Sequence, residues 1–122
     1  MWILKFAVFA VLVFLATGPL LAQDSCEFGS EKAFNDLAKA LSAAKSCKEA
    51  AAKMEKCAWG SSADTQLAPI AIERCEKDFF SKLTATAKAH YEEEMQLCAY
   101  RDAKAQGTMA MSEAALCQVD VA

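Results

Sequence analysis

Cys47-Lys48-Glu49-Ala50-Ala51-Ala52-Lys53-Met54-Glu55-Lys56-Cys57 is the stretch whose reading decides the fold. Alanine, lysine, glutamate and methionine are strong helix formers, and no glycine or proline interrupts them. Ten residues of continuous helix span about 15 Å, far beyond disulfide reach. A Cys47–Cys57 bridge therefore requires the chain to bend between them, and Lys48 to Lys53 offers no breaker. The stretch predicts a helix, which favours other partners for its two end cysteines.

Four further cysteines, Cys26, Cys75, Cys98 and Cys117, complete an even set of six. No CxxC spacing occurs, so neither a thioredoxin-like redox site nor a zinc ribbon is indicated. The chain has one histidine, His90, read as a helix-surface residue, and no metal or cofactor is expected. Six cysteines in a short exported domain read as three disulfides. Cys47 and Cys75 lie almost equally far from the turn near Gly60-Ser61-Ser62, which makes Cys47–Cys75 the preferred hairpin staple. Cys98–Cys117 then pins the last helix across Gly107, and Cys26–Cys57 follows by elimination, with Cys47–Cys57 as the rival.

Residues 1–22 read as a signal peptide: Lys5, an apolar run from Phe6 to Ala16, then Thr17-Gly18-Pro19 and a small residue at Ala22. A spanning helix needs roughly 20 apolar residues, and Gly18-Pro19 interrupts this run too early. The expectation is a secreted or periplasmic protein without a stable membrane anchor after cleavage. Residues 23–122 then form a single domain. The whole chain carries 13 basic and 16 acidic side chains, a net charge of −3 that becomes −4 without Lys5. That balance argues against a nucleic-acid partner and favours a basic one.

β-Branched residues are scarce after Ala22 and no period-two alternation appears, so the fold class is all-α. Ser30 can cap a helix with the stripe Phe34, Leu37, Ala38 and Leu41. Nothing from Ser42 to Lys56 forbids its continuation, with Ser42 and Ser46 as candidate breaks. Gly60 suits a left-handed turn, and Asp64 reads as the next N-cap, with Pro69 near the helix start. Ile72, Cys75, Phe79 and Leu83 form its inward stripe. Thr84 or Thr86 starts a further helix with Tyr91, Met95, Cys98 and Ala99 on one side, and Ser112-Glu113 opens a short last one. The expected architecture is a small disulfide-stapled bundle of three longer helices plus a short C-terminal helix.

Gln96-Leu97-Cys98-Ala99-Tyr100-Arg101-Asp102-Ala103, followed by Gly107-Thr108 and Cys117, resembles the exported bacterial domain of LprI-type lysozyme inhibitors. The shared features are an aromatic-Arg-Asp helix ending, a Gly-Thr loop and a late cysteine. Leu97 stands where that family usually has tryptophan, and Ala105 where it has cysteine. The resemblance implies a helical fold, a Cys47–Cys57 pairing and inhibition of a basic enzyme such as lysozyme.

The residues that matter for such a function each have a plainer alternative. Tyr100 packs while Arg101 and Asp102 hold a helix end, or the three belong to a partner surface. Glu92-Glu93-Glu94 is a solvated face, or it faces a cationic partner and speeds association. Trp59 plugs the helix ends, or it anchors a partner. No nucleophile–base constellation is present, so the chain is expected to be a non-enzymatic binding protein. A structural or envelope-interaction module with another partner is the alternative.

Overall fold

The computed structural model describes residues 26–27, 33–103 and 107–122. The signal peptide over 1–22 and the Ser30 cap lie outside them. So do the side chains of Arg101 and Asp102, whose backbone continues a helix. Among the described residues five α-helices follow in order: α1 (Ala33–Ser42), α2 (Cys47–Cys57), α3 (Ser62–Phe79), α4 (Ala85–Ala103) and α5 (Thr108–Val121). One 3₁₀ turn, Phe80–Lys82, links α3 to α4. The bundle is all-α among the described residues.

The first helical segment is two helices. Ser46 accepts the Glu49 amide at 3.2 Å and caps α2, so the chain restarts where a serine can serve the orphan donors. Arg74 holds the break from outside: its Nε donates to the Ala44 carbonyl and its Nη2 to the Lys45 carbonyl, each at 2.6 Å. The last helix is also longer than expected. It spans 14 residues and begins at Thr108, after Gly107 at φ +114°, a backbone conformation that suits glycine.

α2 runs unbroken from Cys47 to Cys57, as the opening stretch required. The disulfides are Cys26–Cys57, Cys47–Cys75 and Cys98–Cys117, and no cysteine is free. These are the hairpin staple, the bridge across Gly107 and the pair left by elimination. The Cys47–Cys57 pairing implied by the family resemblance does not occur, because a continuous helix keeps its ends apart.

α3 lies at the centre and packs against α1, α2 and α5, while α5 also packs on α4. Leu37, Leu41, Met54 and Leu67 are fully buried, and alanines such as Ala50 and Ala71 fill the close approaches between helices. Burying a leucine or methionine side chain contributes roughly 1.5–3 kcal/mol, so four such anchors give a thin core that the bridges reinforce. Ile72 and Cys75 face inward as expected, whereas Phe79 and Leu83 are half-buried. Thr84 caps α4 by accepting the Ala87 amide at 3.2 Å. Exposed Pro69 lies within α3, where its missing N–H leaves the Thr65 carbonyl without an intrahelical donor. Among the described residues no helix is long and apolar enough to cross a membrane.

Candidate functional site

Asp64 is not the N-cap of α3. Ser61 takes that place, and Asp64 sits three residues later, closing a capping box. The Asp64 carboxylate is fully buried and accepts four donors. These are the amides of Trp59 (3.0 Å), Gly60 (2.8 Å) and Ser61 (3.2 Å) and the Ser112 hydroxyl (2.6 Å). A buried carboxylate is tolerable only with its oxygens engaged in this way. The turn at Gly60, with φ +65°, is thereby fastened to the first turns of α5.

That fastening places Trp59 beside the N-terminal end of α5. Trp59 is 44% exposed, so it does not plug the helix ends. On α5, Met109 and Met111 are 66% and 50% exposed. Met111 also lines an open cavity of about 230 Å³ with Thr65, Pro69 and Ala99. Tyr100 is 63% exposed, which corrects the reading of it as a packed residue. Cys98, two residues earlier and so on the opposite face of α4, is buried.

The glutamate run lies elsewhere. Glu92 and Glu93 are exposed on α4, and Glu94 is half-buried. Glu92 borders an open groove of about 310 Å³ with Glu76, Phe80, Tyr91, Met95 and Gln96. Glu76 lies near the C-terminal end of α3 and Phe80 opens the 3₁₀ turn just after it, whereas Trp59 precedes the N-terminus of α3. The length of α3 therefore separates Trp59 from the groove, and the two sequence-level candidates form no common site.

The groove has a rigid aromatic floor. Tyr91 meets Phe79 and Phe80 edge-on, with ring centroids 5.3 and 5.8 Å away. Its hydroxyl donates to Glu76 Oε1 at 3.0 Å. Burial, and then the adjacent Glu76 carboxylate, push the Tyr91 phenol well above its ordinary value of 10.0, so it remains a donor. The Lys88 ammonium lies over the Phe80 ring, 5.0 Å from its centroid. Gln118 secures the far side by donating to the Met95 carbonyl at 3.1 Å.

Sequence reading missed Glu76 and Phe80. The signal was present: Glu76 and Phe80, Tyr91 and Met95, and Glu92 and Gln96 are each i, i+4 pairs that share a helix face. What it lacked was the crossing that sets the two faces opposite each other. Arg74 and Asp78 were also missed. Asp78 Oδ1 accepts Arg74 Nη1 at 2.7 Å and its Oδ2 accepts the Cys47 amide at 3.1 Å. These bonds, that from Arg74 foremost, hold the Asp78 carboxyl below its ordinary 3.8. His90 is exposed on α4. Among the described residues no group of three or more His, Cys, Asp or Glu side chains is placed to hold a metal ion. No protein-family model, curated protein or solved structure matches this chain.

Proposed function

We propose that this is an exported, non-enzymatic binding protein that acts on a basic protein partner in the manner of a lysozyme inhibitor. The observation that carries the reading is the outward presentation of Glu92 and Glu93 beside the Glu76 groove, on a domain locked by three disulfides. Disulfides persist in oxidising compartments, which agrees with export. A cross-linked scaffold loses little conformational freedom on binding, and its acidic face speeds encounter with a cationic surface. Purified, oxidised protein is expected to bind lysozyme and to slow lysis of bacterial cell walls, more weakly as salt rises. Unchanged lysis at large molar excess removes the inhibitor reading.

A second reading is an envelope-interaction module with a different partner. The exposed apolar side chains Trp59, Met109 and Met111 at the opposite end of α3 favour it. Retained binding to envelope extracts, lost in Trp59→Ala and without effect on lysozyme, selects that reading.

A further inference from the structure

The groove between the junction of α3 with the 3₁₀ turn and the middle of α4 extends the basic-partner reading, on which this inference rests. We propose that it receives one arginine side chain of the partner, with the guanidinium against the rings of Phe80 and Tyr91 and its N–H groups directed to Glu76 and Glu92. The lining consists of two carboxylates, two aromatic rings, Met95 and Gln96, and it includes no basic side chain. Carboxylates supply the countercharge, ring faces supply a negative quadrupole, and Met95 offers apolar contact for the side-chain stem.

A separate observation shows that this floor accepts a cation. Lys88 already holds its ammonium 5.0 Å above the Phe80 ring. Lys88 is not among the residues that line the groove, so the ring already serves one cation without filling the groove. The groove is also set before any partner arrives. The Tyr91 hydroxyl fixes Glu76 at 3.0 Å, and the edge-on contacts with Phe79 and Phe80 keep the Tyr91 ring in place. Arginine suits this shape better than lysine. Its planar fork of five donors stacks on a ring while reaching carboxylates at its edge, whereas an ammonium does one or the other. Aromatic walls and two carboxylates do not make a coordination shell, so a metal ion is the poorer occupant.

The test is a chemical-shift titration of isotope-labelled, oxidised protein with acetyl-Gly-Arg-Gly-amide at low salt, with acetyl-Gly-Gln-Gly-amide as the control. Saturable shifts centred on Phe80, Tyr91 and Glu92 are expected with the arginine peptide alone. Glu92→Gln, at an exposed position, is expected to weaken binding about threefold to fivefold. Lys88→Met removes a positive charge close to the groove and is expected to tighten binding about twofold. Shifts scattered over the surface, equal responses to both peptides, or indifference to Glu92→Gln overturn the proposal. Immobilised lysozyme separates the two levels. Lysozyme binding that ignores Glu92→Gln overturns the groove and leaves the basic-partner reading standing. Groove-centred arginine binding without lysozyme binding does the reverse.

Discussion

The Ser112 hydroxyl donates to Asp64 Oδ2 at 2.6 Å, across 48 residues of sequence, and both side chains are buried. One carboxylate therefore closes the capping box of α3, shapes the turn that presents Trp59 and docks α5. A hydrogen bond to a charged group contributes about 1.5–3 kcal/mol, and leaving a buried partner unsatisfied costs a similar amount. Ser112→Ala is expected to lower unfolding stability by about 2 kcal/mol in urea melts of the oxidised protein. Asp64→Ala strands three backbone donors as well and is expected to cost more than about 3 kcal/mol. Equal, negligible losses in both variants contradict the shared-carboxylate account.

Arg74 joins the α1–α2 break to α3 through two carbonyls and Asp78. Lysine cannot reproduce that fork, so Arg74→Lys and Arg74→Met are both expected to destabilise by about 2 kcal/mol. Hydrogen exchange should rise first at the amides of 44–47.

Asp78 gives the same cluster an acid signature. Its folded value lies below 3.8, so its bonds stabilise the fold fully above that ordinary range and fail as pH falls through the lowered value. The difference in urea midpoint between wild type and Asp78→Asn should be constant near neutrality and close below pH 3.8. A gap that persists in stronger acid rules out the carboxylate as its source.

The three bridges enclose 19 to 31 residues of sequence separation. Loop-closure entropy assigns each about 3–4 kcal/mol, a large share of the stability of so small a domain. Replacing Cys47 and Cys75 together by alanine is expected to remove that amount. Non-reduced peptide mapping of the native chain should recover the Cys26–Cys57, Cys47–Cys75 and Cys98–Cys117 pairs.

Tyr91 gives the fold an alkaline signature. Its folded value is raised, so the stabilisation is complete below 10.0 and declines as pH rises above it, where the unfolded chain ionises first. In a Tyr100→Phe background, tyrosinate absorbance should lag behind a free phenol and appear together with loss of helical circular dichroism. Ionisation near 10.0 in the folded state excludes the Glu76–Tyr91 arrangement.

Helix identity was legible along most of the chain because it rests on neighbours three and four residues apart. Leu37 and Leu41 are buried on α1 and Tyr91 and Cys98 on α4, as their spacing indicated. The α1–α2 break was legible only as a pair of candidate serines, since the Arg74 side chain that holds it lies some 30 residues away. Trp59 and Tyr100 were misjudged for a related reason. A large aromatic residue is apolar wherever it stands, and only the placement of neighbouring helices decides whether anything covers it.

The sequence by itself determined the helical class and, through an unbroken helix between Cys47 and Cys57, favoured partners elsewhere for these two cysteines. Those properties follow from backbone propensity and the fixed rise of a helix, which no distant residue alters. The tertiary structure alone decided that Asp64 meets Ser112 and that Glu76 and Phe80 face Tyr91 and Glu92. Such encounters depend on where whole helices cross, and the crossing is set by the summed packing of the bundle.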